Sequence, residues 1–130
     1  MNKKHVGYWV ATALFCLAMT MGGTMNVLRA EVQREAISSL GYPEYLMTIL
    51  GVAKLLGVVA LLLPAMKLVK EWAYAGFTFD LLGASASHGF AGHSIVEITI
   101  PLVVLSIAAT SYWLRPAERR LHTKLPLATE

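Results

Sequence analysis

The sequence is poor in cysteine and in charge, and both shortages narrow what the protein can be. Its 130 residues include one cysteine, Cys16, which excludes an internal disulfide, a CxxC redox pair and a cage of thiolate metal ligands. Only 15% of the residues are charged, whereas about 25% is usual for a soluble domain. The apolar residues, 56% of the chain, must therefore face something other than water. This composition predicts an integral membrane protein.

The motifs of common enzyme classes are also missing. The sequence contains no Gly-rich phosphate loop followed by lysine, no nucleophile elbow and no haem-binding CxxCH. We therefore expect a protein without catalytic activity. The formal net charge is +3, but the basic residues stand between apolar blocks and not in one cluster. Such a distribution indicates membrane topology and gives no reason to expect nucleic-acid binding.

Four apolar blocks are each long enough to cross the roughly 30 Å hydrocarbon core of a bilayer as a helix. None of them shows strand-like alternation, so helices are preferred to a barrel. The sequence predicts one all-α domain, an integral membrane four-helix bundle. The predicted helices cover residues 6–28, 45–66, 72–90 and 95–114, with a tight turn at 67–71, a short amphipathic surface helix at about 30–40 and a polar tail at 117–130.

The first block resembles a secretory signal, because Lys3 and Lys4 precede it. A lipoprotein signal would need a small residue before its cysteine, and Phe15 precedes Cys16. The apolar character also continues to Leu28. The block is therefore interpreted as a retained helix, with cleavage as the alternative.

Lysine and arginine in the flanks give the predicted orientation, since cytoplasmic loops carry an excess of them. With four spans, eight of these residues fall on one side and only Arg29 and Arg34 on the other. Both termini are therefore expected to be cytoplasmic, in a bacterial inner (plasma) membrane. The eight residues are Lys3, Lys4, Lys67, Lys70, Arg115, Arg119, Arg120 and Lys124.

Charged residues inside the blocks mark candidate functional positions, because charge is expensive in hydrocarbon and usually faces a bundle interior or cavity. At about 1.5 Å per residue, Lys54 lies roughly 14 Å from the start of its helix, and Asp80 lies at a similar depth in the antiparallel neighbour. This match predicts a Lys54–Asp80 ion pair. The pair can either fix helix register or anchor a ligand, an ion or a proton.

A second polar layer is expected near the outer face. His88 and Glu97 would lie there, together with Asn26 and Arg29. A purely structural interpretation is that His88 forms a hydrogen bond with a neighbouring backbone group or with Glu97. Glu97 would then be a solvated residue in the first turn of a helix, where a carboxylate suits the helix dipole. His93 is expected to be simply exposed, and because its spacing from His88 and Glu97 matches no specific motif, no metal site is predicted.

Several short motifs in collinear order resemble the DoxX-like family, over roughly residues 21–116. They are LGYP at 40–43, LGVAKLLG at 50–57, ALLLP at 60–64, KEWAYAGF at 70–77, GA at 83–84 with SH at 87–88, and LRP at 114–116. The resemblance implies a four-helix membrane bundle. It supports Lys54, Asp80 and His88 as site residues, but Asn26 and His93 stand where relatives often have lysine and aspartate, which weakens any outer site carried over from the family.

The resemblance implies little about activity, since the family name comes from a subunit associated with thiosulfate oxidation coupled to quinone. The leading hypothesis is a protein that binds a lipid-like or quinone-like ligand, a membrane partner or a second copy of itself through the polar face of the second and third helices. Alternatives are a subunit of a quinone-linked oxidoreductase, with quinone as cofactor, and a small proton-coupled carrier. No other cofactor is expected.

Overall fold

The structure is a computed structural model that describes residues 2–121. Lys124 and the rest of the expected tail from residue 122 onward lie outside the described residues. The described part contains α-helices, one short 3-10 helix and no strand. The helices are α1 (Lys3–Val27), α2 (Glu31–Ser39), α3 (Tyr45–Leu62), α4 (Lys67–Phe90) and α5 (Ile95–Trp113), followed by the 3-10 helix Ala117–Arg119.

The predicted boundary between the second and third blocks is wrong. α3 ends at Leu62, because Pro64 has no N–H to continue the ladder and disfavours a helical conformation at the residue before it. Met66 then adopts a left-handed conformation, with φ of 64°, and α4 begins at Lys67. The residues predicted as a tight turn at 67–71 are therefore the first turn of a helix 24 residues long.

Three helices, α1, α3 and α5, are long and apolar enough to cross a membrane by length and composition. α4 is long enough but is not among them, because Asp80, His88 and several small polar residues lower its mean hydropathy. The outward faces of these helices are apolar, as expected where lipid replaces water. Exposed examples include Leu14 and Leu17 on α1, Leu56 and Val59 on α3, and Val103 on α5.

The helices pack so that α1 contacts α3 and α5, and α4 contacts the same two helices. α1 and α3 come into close contact at Gly23 and Gly51, where a Cβ on Gly51 would lie 2.8 Å from the Gly23 carbonyl oxygen. Small residues allow such backbone contact between helices in membranes. Between the helices, Phe15 and Phe77 meet edge to face with ring centroids 4.9 Å apart.

Candidate functional site

Lys54 on α3 and Asp80 on α4 form an ion pair inside the apolar assembly. Lys54 Nζ lies 3.9 Å from Asp80 Oδ2, and the two side chains are 18% and 19% exposed. Pairing at matched depth is the arrangement that the sequence predicts. The separation is longer than a hydrogen bond, and neither side chain donates to or accepts from any other group in the described residues. Both charged groups therefore have hydrogen-bonding capacity left for a third molecule.

The pair lies on the wall of an apolar groove between α3 and α4. The open groove has a volume of about 610 Å³, within the size range of small-molecule sites. Gly76 lines it, and a Cβ there would meet no atom within 4 Å. Gly57 also lines the groove, and a Cβ there would come within 2.5 Å of the Phe77 ring. The groove is lined by Leu50, Ala53, Lys54, Leu56, Gly57, Ala60, Val69, Trp72, Ala73, Gly76, Phe77, Phe79 and Asp80.

α1 approaches the same region through small and polar residues. A Cβ on Gly22 would lie 4.0 Å from Lys54 Nζ, so the absence of a side chain there leaves room for the ammonium group. Asn26 lies one turn further along the same face of α1 and is 2% exposed. Its Oδ1 is buried without a hydrogen-bond partner in the described part of the chain. A buried amide oxygen without a donor is unusual, because it has lost its hydration without compensation.

The predicted outer polar layer is not one cluster. His88 and Glu97 meet at the α4–α5 turn, where His93 joins them: the two Nδ1 atoms of the histidines lie 2.8 Å apart. The expectation that His93 is simply exposed is wrong, since its side chain is 20% exposed and packs on the His88 ring. Arg29 instead faces Glu44, with Nη1 3.6 Å from Oε1. The described contacts join neither Arg29 nor Asn26 to His88.

Charged residues at the opposite end of the helices turn out to be buried, which the count of flanking charges did not anticipate. Lys70 is fully buried, and its Nζ donates to the carbonyl oxygens of Ala60, Leu63 and Ala65. Arg115 is 5% exposed, and its Nη2 lies 2.8 Å from Glu71 Oε1.

Arg115 also donates from Nε to the carbonyl of Tyr112, and its guanidinium lies 4.1 Å from the centroid of the Tyr112 ring. The only sequence signal for this cluster is that Glu71, Tyr112 and Arg115 all lie at or beside the ends of predicted spans.

A buried chain of hydroxyl groups lies near the same end of the helices as Lys70 and Arg115, and it was not predicted from the sequence either. Thr12 Oγ1 and Ser111 Oγ are 2.6 Å apart, and Tyr74 Oη lies 2.7 Å from Ser111 Oγ. The three residues join α1, α5 and α4. Hydroxyl-bearing side chains often bond across helices in membranes, and this chain cross-links the end of the assembly opposite the histidines.

The sequence of one protein family matches most of this chain. A family model described as the DoxX-like family matches residues 10–111, which extends from α1 almost to the end of α5. The chain belongs to the DoxX-like family. Neither the search of curated proteins nor the search of solved structures found a match. Membership of the DoxX-like family and the apolar helices together indicate a membrane protein.

Proposed function

We propose that this DoxX-like protein binds a lipid-like molecule with a compact polar head, such as a quinone, in the α3–α4 groove. The observation that carries the proposal is the Lys54–Asp80 pair, which lies on an apolar groove with unused hydrogen-bonding capacity. Charges in hydrocarbon are retained mainly at functional positions. The apolar tail of a ligand would lie along the groove, and its head would accept a hydrogen bond from Lys54 or donate one to Asp80.

The membrane arrangement proposed with this function is a four-helix bundle that crosses the inner (plasma) membrane four times. α4 would cross with its polar residues turned towards α3 and α5, and both termini would face the cytoplasm. The distribution of positive charge supports this orientation. Lys70, Arg115 and Arg119 all contact groups at the end of α3, in the α3–α4 turn or at the start of α4, and Lys3 begins α1 at the same end.

The proposal can be tested by closing the groove without touching the ion pair. Gly76→Leu should fill the groove, because a side chain at this position has open space in front of it. Gly83→Leu is the matched control, since Gly83 lies on the same helix, has the same open surroundings and does not line the groove. The protein would be purified in native-lipid nanodiscs, and copurifying lipids and quinones would be quantified by mass spectrometry.

A second variant tests the polar head. Lys54→Leu combined with Asp80→Leu removes both charges together, and replacing a buried ion pair with apolar residues often leaves a fold as stable or more stable. We expect Gly76→Leu and the double variant to lose a bound lipid-like molecule that the wild type and Gly83→Leu retain. Equal retention by all four proteins, or a retained partner protein in place of a small molecule, would contradict the proposal.

A further inference from the structure

A site of different chemistry lies at the α4–α5 turn, away from the groove. We propose that His88, His93 and Glu97 bind a divalent transition-metal ion of the zinc class. One ligand atom from each of the three side chains lies within 4.8 Å of the other two. Two imidazoles and one carboxylate are a common donor set for Zn²⁺, with water in the fourth position. This inference does not depend on ligand binding by Lys54 and Asp80.

The backbone of the turn holds the two histidines side by side. The N–H of His93 donates to the carbonyl of His88, and the N–H of Gly92 donates to that of Gly89. Together with the φ of 74° at Gly92, these two hydrogen bonds form a Schellman motif. In this motif the side chains of the two residues joined by the bond that spans five positions, here His88 and His93, come into contact. That contact is usually apolar, and here it consists of two imidazole rings with centroids 5.0 Å apart.

A second backbone motif positions the carboxylate. Ser94 caps α5 with a capping box, in which Glu97 Oε2 accepts from the Ser94 N–H at 3.0 Å. The same oxygen lies 3.8 Å from His93 Nδ1. The other carboxylate oxygen of Glu97 makes no hydrogen bond in the described residues. The cap therefore fixes the direction of Glu97 and leaves an oxygen free for a cation.

The distances fit a metal ion after small side-chain movements. With Zn–N bonds of about 2.0–2.1 Å, two tetrahedral ligand atoms lie about 3.3 Å apart. The observed separations are 2.8 Å between the two histidine Nδ1 atoms and 3.8 Å between His93 Nδ1 and Glu97 Oε2, and all three ligand atoms lie within 4.8 Å of one another. Rotation of the Glu97 side chain towards His88 would bring the third separation to the same value. The negative end of the α4 dipole also favours a cation at this position. The side chain of Glu97 is 49% exposed, so a water molecule can complete the coordination.

The test is a titration of the full chain with Co²⁺ and Zn²⁺ in detergent micelles, without a histidine tag. Co²⁺ reports its coordination through its visible absorption, and competition with Zn²⁺ gives the relative affinity. We expect one Co²⁺ per wild-type chain. His88→Ala combined with His93→Ala should weaken Co²⁺ binding by at least about tenfold. Removing even a residue that only hydrogen-bonds a metal ligand typically lowers metal affinity about 10–100-fold.

The matched control removes the other two of the four histidines, His5→Ala with His122→Ala, and should bind as the wild type does. Glu97→Gln gives an independent check, because glutamine can preserve the capping box while losing the anionic ligand. It should weaken Co²⁺ binding while the metal-free protein keeps its helical content, measured by circular dichroism. Wild-type affinity in the His88 and His93 double variant, equal losses in both histidine pairs, or no stoichiometric binding by the wild type would overturn the proposal.

Discussion

A substitution at Lys70 tests whether this side chain stabilises the connection between α3 and α4. Its buried ammonium group donates to three carbonyl oxygens, those of Ala60, Leu63 and Ala65. Within a continuous helix the carbonyl of Ala60 would accept from residue 64, but that residue is proline and has no N–H. Lys70 therefore supplies a donor that the sequence of α3 cannot supply. We predict that Lys70→Met, which keeps the apolar stem and removes the donor, destabilises the protein markedly.

The expected loss in the free energy of unfolding follows from the burial of the three carbonyl oxygens. A buried carbonyl left without a donor costs about 1–3 kcal/mol, and this range applies fully to Ala60. The carbonyls of Leu63 and Ala65 are only partly buried, so water can replace much of what they lose. We therefore expect a loss of about 2–4 kcal/mol in the free energy of unfolding.

The measurement is equilibrium unfolding in mixed micelles, followed by circular dichroism. The matched control is Lys67→Met, the same substitution three residues earlier at a half-buried lysine whose side chain has no described partner. It should change stability by no more than about 0.5 kcal/mol. Equal stability of the two variants would refute the role assigned to Lys70.

A double-mutant cycle with Pro64→Ala isolates the proposed cause. An alanine at position 64 has an N–H that can serve the Ala60 carbonyl, so Lys70→Met should cost about 1 kcal/mol less in that background. If the cost of Lys70→Met is the same with proline and with alanine, the missing N–H is not what makes the lysine necessary.

The depth of Lys54 and Asp80 could be predicted because helix geometry fixes it. A constant rise per residue and an antiparallel connection relate sequence position directly to height, so two charges in neighbouring helices can be matched by counting residues. The groove beside the pair could not be predicted in the same way. It depends on which faces of α3 and α4 meet, and that choice rests on side-chain packing, such as Phe77 against Gly57.

The burial of Lys70 and Arg115 could not be predicted from charge counting, which treats every flanking lysine or arginine as solvated. Their surroundings are assembled from carbonyls and side chains of other segments, and only the folded chain brings these together. The His88–His93 contact is a different case. A glycine four residues after His88 and directly before His93 is a recognisable helix-ending signal, and a Schellman motif there would have placed the two rings together.

Three further substitutions test the packing, each measured as the free energy of unfolding in the same micelles. Arg115→Leu leaves the partly exposed carboxylate of Glu71 with the Tyr112 hydroxyl as its remaining donor in the described residues, and should cost about 1–3 kcal/mol. Arg34→Leu breaks only exposed pairs, with Glu31 and Glu44, and should cost no more than about 1 kcal/mol. Ser111→Ala removes the centre of the buried hydroxyl chain and should cost about 1–3 kcal/mol. Gly57→Ala places a methyl group within 2.5 Å of the Phe77 ring and should cost about 1–3 kcal/mol. Gly83→Ala is its control: the new methyl group meets nothing, so alanine's better helix propensity should raise stability by about 0.5–1 kcal/mol. Equal effects at the two glycines would mean that α3 and α4 are not in close contact at Gly57.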